Sequence, residues 1–231
     1  MTDPVQPGTI YLVPTPLGNM GDMTTRAVEV LNRVEIVACE DTRVSGGLLS
    51  KLGIRKKLIS YHDFNEAARA EQLAAMVRDG HDIAVITDAG SPGISDPAYR
   101  IVRAAIDQGL SLSALPGPCA LIPALTASGL PTDRFFFEGY LPHKQTARRK
   151  RLERLKEFEH TLVFYESPHR LLKTLKDMLE VVGDRPACVA REISKKFEEY
   201  LRGNLSELIA RLSNRRVMGE IVIVLGGRSD S

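Results

Sequence analysis

Charged side chains stand directly after several short apolar runs of this sequence. Asp41 and Arg43 follow one such run, and Glu192 follows another near the far end of the chain. At the carboxyl end of a buried strand, such side chains lie near the crevice in which open α/β sheets bind ligands. A carboxylate there can remove a proton, and a guanidinium can orient a polar substrate. These three residues are therefore candidates for substrate contact, with helix caps and salt bridges as the alternative.

Three loops rich in small residues also follow apolar runs that are typical of strands. They are Val13–Asp22, Asp88–Ser95 and Pro116–Ala120. Glycine and proline end the strands and let a ligand approach main-chain groups. The first loop is neither a G-x-G-x-x-G fingerprint nor a Walker A loop, and its two prolines remove donors that a pyrophosphate needs. Together the loops predict a ligand site that is unsuited to a nucleoside triphosphate or a dinucleotide.

The first half of the chain alternates short apolar strands with helical patterns. Predicted strands are Thr9–Val13, Ile36–Cys39, Leu58–Tyr61, Ile83–Thr87 and Leu110–Leu115. Predicted helices are Met23–Arg33, Val44–Leu52, Glu66–Asp79 and Pro97–Gln108, the last capped by Asp96 with Pro97 at its first position. This alternation indicates a parallel sheet with right-handed crossovers. In a doubly wound order, the three loops would face the same edge of that sheet.

The second half is predicted to be a separate domain with a mixed sheet. The sequence Leu115–Pro118 breaks regular structure, which predicts domains 1–117 and 118–231. The predicted strands Ala187–Glu192 and Phe197–Arg202 are too close for a crossover, so we expect them to pair antiparallel. The other predicted elements are helices Cys119–Ser128, His169–Val182 and Leu205–Leu212 and strands Arg134–Gly139, Thr161–Tyr165 and Glu220–Leu225. The expected architecture is α/β, with a parallel N-terminal sheet, a mixed C-terminal sheet and a cleft between the domains.

Composition limits the classes of protein to which the chain can belong. Its apolar runs are too short to span a bilayer, and its first residues lack the basic and apolar regions of a secretory signal. Cys39, Cys119 and Cys188 are isolated, and no spacing of Cys, His, Asp or Glu suggests a metal. We expect a reduced, cytoplasmic protein with no metal site and no membrane partner.

Positive charge is concentrated in the second half of the chain. Residues 118–231 hold 20 Lys and Arg against 15 Asp and Glu, whereas residues 1–117 hold 11 against 14. The segment His143–Lys156 alone contains seven Lys and Arg and a single acid, and Lys195–Lys196 adds a second basic patch. A solvated helix face would explain a weaker run, but this excess favours a nucleic-acid partner. The low aromatic content, with no Trp, argues against a stacking platform for single strands.

Seven segments of the chain closely resemble the ribosomal RNA small subunit methyltransferase I family, a branch of the tetrapyrrole methylase superfamily. They are VPTPLGNMGDMTTRA, ACEDTR, DAGSPGISDP, LPGPCA, GLPTDRFFFEGYLP, TLVFYESPHRLL and VARE, in the order of the family. The resemblance covers nearly the whole chain. It implies two α/β domains of tetrapyrrole methylase type, S-adenosylmethionine as cofactor and a homodimer. The implied reaction is 2′-O-methylation of a cytidine in 16S ribosomal RNA, either as free RNA or in the small ribosomal subunit.

The resemblance also implies functional residues. Those that fall where the superfamily contacts its cofactor are Leu17, Ala89, Gly90, Ser91, Ile94, Cys119, Ala120 and Glu166. Asp41, Arg43 and Glu192 would orient or deprotonate the ribose hydroxyl, which is a very weak acid. RNA phosphates would be held by Lys144, Arg148, Arg149, Lys150, Arg151, Lys195 and Lys196.

Three other functions remain open from the sequence. Methylation of a tetrapyrrole precursor would use the same cofactor, but the superfamily loop G-G-D-P carries a carboxylate where this chain has Ser91. A non-enzymatic RNA-binding or ribosome assembly factor would need the basic patches but leaves the three loops unexplained. A nicotinamide-dependent oxidoreductase is disfavoured because the glycine fingerprint is absent.

Overall fold

The computed structural model describes residues 8–228. Residues 1–7, in which the sequence predicts no secretory signal, and residues 229–231 lie outside the described range. The chain divides into two compact units, Met1–Cys119 and Ala120–Ser231. No helix in the described range is long and apolar enough to cross a membrane.

Unit 1 is built on a five-stranded sheet in which every pair is parallel. Its strands are β1 (Thr9–Leu12), β2 (Ile36–Cys39), β3 (Lys57–Ser60), β4 (Ile83–Ile86) and β5 (Ser111–Ala114), in the order β3-β2-β4-β1-β5. Its helices are α1 (Thr25–Arg33), α2 (Thr42–Lys51), α3 (Glu66–Arg78) and α4 (Tyr99–Asp107), and a 3-10 turn covers Met20–Asp22. The prediction of a parallel N-terminal sheet is confirmed.

The two faces of this sheet carry different helices. Ile83 and Val85 belong to a core with α3 and α4, whereas Ala84 and Ile86 belong to a core with α1 and α2. This alternation follows from the strand period of two residues. Since α1 and α4 leave on opposite faces, the gap between the neighbouring strands β1 and β4 is the topological switch point. Open α/β sheets bind ligands at such a point.

Unit 2 is built on a mixed five-stranded sheet. Its strands are β6 (Phe135–Tyr140), β7 (Thr161–Glu166), β8 (Pro186–Arg191), β9 (Glu199–Asn204) and β10 (Ile221–Leu225), in the order β6-β7-β10-β8-β9. Its helices are α5 (Leu121–Thr126), α6 (Gln145–Leu155), α7 (Leu171–Val182) and α8 (Leu205–Ser213). Strands β6 and β7 are parallel, and the other pairs are antiparallel, so the predicted mixed sheet and the antiparallel β8–β9 pair are confirmed. A core formed with α6, α7 and α8 includes Leu152, Phe164, Met178 and Leu208.

The predicted start of α4 is wrong. The helix begins at Tyr99 and is preceded by Ala98, whose backbone is not helical and whose side chain caps nothing. Ser95, at φ 64°, turns the chain just before this segment. Asp96 therefore does not cap the helix, and Pro97 lies before it rather than in its first turn.

Candidate active site

The three small-residue loops lie side by side at the carboxyl edge of the unit 1 sheet, because β4, β1 and β5 are neighbours. Thr15 and Gly90 exchange two backbone hydrogen bonds of 2.9 and 3.0 Å, which join the loops after β1 and β4. Ser91 Oγ donates to the carbonyl of Pro118 at 2.8 Å and joins the loops after β4 and β5. The loops thus form one continuous rim across the switch point.

Close backbone packing holds this rim together. A Cβ atom on Gly117 would come within 2.7 Å of Pro14 Cβ, so only glycine permits this approach. Thr15 is fully buried, and its hydroxyl donates to the carbonyl of Thr87 at 2.9 Å. Gly90 has φ +90°, and a Cβ there would contact Leu17 Cδ2 at 3.4 Å. The loops are therefore preorganised, and the side chain of Leu17 lies close against Gly90.

Most of the expected cofactor residues lie on this rim. The structure places Leu17 on the first loop, Ala89, Gly90, Ser91 and Ile94 on the second, and Cys119 at the end of the third. Ala120 and Glu166 belong to unit 2. Ala120 precedes α5, which is a short helix of six residues.

Acidic side chains lie beside this rim, both after β4 and on two further strand ends of the sheet. They are Glu40 after β2, Asp63 after β3, and Asp88 and Asp96 after β4. Within the described range, no ion pair joins any of these four carboxylates to a cation. Burial, together with the charges of Glu40, Asp88 and Asp63, raises the pKa of Asp96 to about 7. Burial and the neighbouring acids also raise the pKa values of Glu40 and Asp88. This edge of unit 1 therefore favours a cationic ligand or a proton.

Asp41 and Arg43 form a local pair at the start of α2. Asp41 is the N-cap and accepts from the backbone amide of Arg43 at 2.8 Å, and its other oxygen accepts from Arg43 Nη2 at 2.7 Å. These hydrogen bonds lower the pKa of Asp41 to about 2. Asp41 is therefore a poor proton acceptor while the pair lasts, whereas the exposed Arg43 guanidinium can contact a substrate. The backbone amide of Asp41 also donates to Asp88 at 3.3 Å.

Glu192 holds a loop of unit 2 in a strained conformation. Its φ is 51°, and Ser194 two residues later has φ 65°; both values are uncommon for residues other than glycine. The Glu192 carboxylate accepts from Lys195 Nζ and from the backbone amide of Glu220, each at 3.1 Å. Burial raises its pKa, but these partners outweigh burial, and the net shift is downward. Glu192 is thus committed to the loop, and strain of this kind is concentrated at functional sites.

The same loop presents one basic and one aromatic side chain to solvent. Phe197 is 63% exposed, and Lys196 Nζ lies 5.6 Å from the centre of its ring. Arg191 fixes the loop by donating to the carbonyls of Phe197 and Met218 at 3.1 and 3.0 Å. Lys195, in contrast, is paired with Glu192 and Glu220.

Glu166 has an internal role in the structure. Its carboxylate is buried and accepts from the backbone amide of Ser167 at 2.7 Å and from the hydroxyl of Thr174. Arg170 lies 3.3 Å from the same carboxylate. These contacts tie the end of β7 to α7, so the carboxylate has little capacity left for a ligand.

The comparisons with known proteins agree with this geometry. Residues 9–209 match the model of the tetrapyrrole (corrin/porphyrin) methylases. A ribosomal RNA small subunit methyltransferase I from Micromonospora olivasterospora is 47% identical over 97% of this chain and 72% of its own length. The enzyme of that name from Thermotoga maritima is 41% identical over 96% of this chain and 99% of its own. The chain belongs to the ribosomal RNA small subunit methyltransferase I family.

Solved structures support the fold of this family member. Diphthine synthase superposes with a TM-score of 0.70 at 12% identity, over 95% of this chain and 90% of the other. A uroporphyrin-III C-methyltransferase from Thermus thermophilus, complexed with S-adenosylhomocysteine, superposes with a TM-score of 0.65 at 20% identity, over 95% and 97%. At these identities the likeness shows the tetrapyrrole methylase fold.

The basic segment of this methyltransferase family member is partly neutralised, because three of its seven Lys and Arg side chains pair with acids among the described residues. Arg148 is only 4% exposed and pairs with the buried Asp177 at 2.6 Å. Arg149 also pairs with Asp177, at 2.8 Å, and Arg151 makes two hydrogen bonds to Glu138, of 2.5 and 2.6 Å. Lys144 and Lys150 on the same segment are exposed and form no ion pair within the described residues. Sequence alone could not show this difference, because the acids lie on β6 and α7. No group of three potential metal ligands occurs in the described part of the chain.

Proposed function

We propose that this protein transfers the methyl group of S-adenosylmethionine to the ribose 2′-oxygen of a cytidine in small-subunit ribosomal RNA. The observation that carries the proposal is the continuous rim of three loops at the switch point of unit 1, in a chain of this family. A rim built from backbone groups and small side chains suits a ligand that lies close against the main chain.

The cofactor is proposed to lie against the rim. The side chain of Leu17, which lies close against Gly90, offers an apolar surface to an uncharged part of the molecule. Ala89, Ser91, Ile94 and Cys119 complete the proposed contact set in unit 1, and Ala120 is proposed from unit 2. When bound, S-adenosylmethionine supplies a methyl group on a positively charged sulfur. The acids at the same edge, which form no ion pair among the described residues, favour binding of this positively charged cofactor over S-adenosylhomocysteine, whose sulfur is neutral.

The chain's own residues must position the hydroxyl and accept its proton. The attacking oxygen forms a bond to the methyl carbon as the carbon–sulfur bond breaks, and the hydroxyl proton must leave. Asp96 is the proposed acceptor, because a general base works best with a pKa near the working pH and Asp96 has a pKa of about 7. Arg43 is proposed to orient the ribose, with Asp41 as its fixed partner. Glu192 keeps the loop 192–197 in place.

RNA phosphates are proposed to contact exposed cations of unit 2. The best candidates are Lys144, Lys150 and Lys196, since none of them is held by an acid among the described residues. Arg149 and Arg151 are partly exposed and can add to the positive electrostatic potential that attracts phosphates, whereas Arg148 is buried. Phe197 beside Lys196 can stack on an unpaired base, which suits a substrate nucleotide outside a duplex.

The deciding experiment is methyl transfer from radiolabelled S-adenosylmethionine to free small-subunit RNA and to assembled 30S subunits, followed by nuclease digestion. Label on the ribose 2′-oxygen of a cytidine is expected. Label on a base would contradict the proposed chemistry. Cofactor binding without label in RNA would instead favour a tetrapyrrole precursor, which the matching family model supports as the alternative.

We further propose that the protein works as a cytoplasmic homodimer, as the family resemblance implies. Sedimentation equilibrium of the purified chain tests the dimer. A molar mass near that of one 25.5 kDa chain at micromolar concentration would contradict it.

A further inference from the structure

A cavity lies in unit 1 between α2 and β3. It has a volume of about 400 Å³, an apolar floor of Gly46, Leu49, Ile54 and Leu58, and Arg55 and Lys56 on its rim. Strand β3 begins at Lys57, beside this cavity, and ends at Ser60 towards the rim of loops. The cavity is thus separated from that edge by the length of a four-residue strand, roughly 13 Å.

Unneutralised positive charge is concentrated around this cavity. Lys51, Arg55, Lys56 and Lys57 fall within seven consecutive residues. Within the described range none of the four pairs with a carboxylate, and the one hydrogen bond that holds them runs from Lys56 Nζ to the carbonyl of Asn32, at 2.7 Å. The C-terminus of α2 contributes only about half a negative charge. The cavity therefore favours an anion, unlike α6, where Arg148, Arg149 and Arg151 are paired with acids.

The floor of the cavity depends on a glycine in a helix. Glycine lowers helix stability relative to alanine, so two adjacent glycines in α2 need a reason. A Cβ on Gly46 would meet only Leu58 Cδ1, at 3.6 Å, and one on Gly47 would meet nothing within 4 Å. Packing therefore does not exclude a side chain at either position. Gly46 instead leaves the floor of the cavity open.

We propose that this cavity binds one nucleotide of the RNA substrate, remote from the methylated one. Its base or ribose would lie on the apolar floor, and its phosphate would contact Arg55 and Lys56. A nucleotide combines a flat, weakly polar body with an anionic group, which matches both parts of the cavity. This inference rests on the proposed function in so far as RNA is the substrate.

The test is fluorescence anisotropy of a labelled small-subunit RNA fragment, titrated with the whole protein at several salt concentrations. Arg55→Gln together with Lys56→Gln should weaken binding and reduce the salt slope by about 0.7–0.9 for each phosphate that the protein no longer neutralises. As a matched control, Arg78→Gln with Arg103→Gln removes the same formal charge from α3 and α4 on the other sheet face, and should leave the slope nearly unchanged.

Gly46→Leu tests the cavity itself, because it fills the floor and keeps every charge. It should weaken RNA binding about tenfold, a loss of about 1.4 kcal/mol, with the salt slope unchanged. Gly47→Leu is its control, since it makes the same change in the same helix but points into open space. Equal affinities of these two variants would overturn the cavity as a nucleotide site. So would unchanged RNA binding in the Arg55 and Lys56 variant, the result expected if an acidic protein segment were the occupant. Failure of the wild-type protein to bind both the RNA fragment and assembled 30S subunits would overturn the proposed function as well, whereas a result against the cavity alone would leave the proposed function standing.

Discussion

The Ser91 hydroxyl donates a hydrogen bond of 2.8 Å to the carbonyl of Pro118. This single contact joins the loop after β4 to the loop after β5, and it occupies the position where the wider superfamily carries a carboxylate. A carboxylate cannot donate to a carbonyl, so the contact depends on the serine.

Two replacements of Ser91 should distinguish the loss of this hydrogen bond from obstruction of the cofactor site. Ser91→Ala removes a partly buried hydrogen bond and should destabilise the fold by about 1 kcal/mol, with a modest loss of cofactor affinity. Ser91→Trp should abolish cofactor binding, because the indole would fill the rim beside Gly90. Isothermal titration with S-adenosylhomocysteine measures the cofactor affinity of both variants, and urea unfolding measures the stability of Ser91→Ala. Unchanged affinity in Ser91→Trp would mean that the cofactor lies elsewhere.

Asp96 should make the protein less stable as the pH rises towards neutrality. Its pKa is about 7 in the folded protein and 3.8 as a free group, so between these values the folded state binds the extra proton. The stabilising contribution of the protonated group is complete below pH 3.8 and is lost as the pH rises through 7. Asp96→Asn should flatten that decline in urea midpoints between pH 5 and 8.

The same variant tests the role of Asp96 in catalysis. If Asp96 accepts the hydroxyl proton, Asp96→Asn should lower kcat strongly and leave cofactor affinity within about twofold. It should also remove the rise in rate near pH 7. A full rate with an unchanged pH profile would assign the proton to another group.

Asp41 should have the opposite effect on the pH dependence of stability. Its pKa is lowered to about 2, so its contribution to stability is present above pH 3.8 and is lost as the pH falls through 2. Asp41→Asn keeps an N-cap side chain but loses the charge, whereas Asp41→Ala loses both. We expect the melting temperature to fall in the order wild type, Asn, Ala at pH 7. At pH 2 the wild-type protein and the Asn variant should differ little.

Arg148 should matter for folding, and Lys150 for RNA. Removing one partner of a buried ion pair costs about 3–5 kcal/mol, and Arg148 and Asp177 are both almost fully buried. Arg148→Ala should therefore strongly lower the midpoint of denaturant unfolding. Lys150→Ala should leave stability within about 0.5 kcal/mol and reduce the salt dependence of RNA binding. The reverse pattern would mean that α6 contacts RNA through its arginines.

Much of the fold could be predicted, because it depends on local patterns. Short apolar strands alternating with helices indicated a parallel sheet in residues 1–117, and the short gap before Phe197 indicated an antiparallel pair. The start of α4 could not be predicted, since the turn at Ser95 depends on the packing of the loop rather than on the signal from Asp96 and Pro97.

The parts of the candidate site that could be predicted are those formed by residues close together in the sequence. The three loops and the charged strand ends are visible in the sequence, because each follows its own strand. The ion pairs of Arg148 with Asp177 and of Arg151 with Glu138 join residues 29 and 13 positions apart, so the segment looked more available than it is. Asp88 begins the second loop and Asp96 follows it directly, but only the folded sheet shows that they share an edge with Glu40 and Asp63.

The strained loop around Glu192 adds a second source of sensitivity to salt. Lys195 is held there by Glu192 and by Glu220, and the Glu220 side chain is 69% exposed. Mobile ions screen exposed charges of this kind, so concentrated salt weakens the pairing of Lys195 with these two acids. The strained backbone of the loop then loses part of the support that offsets its strain. Raising the ionic strength would then loosen the presentation of Lys196 and Phe197 before any RNA arrives. Affinity for RNA would then fall for two reasons, because salt screens the phosphates and because the loop that contacts the RNA is held less firmly.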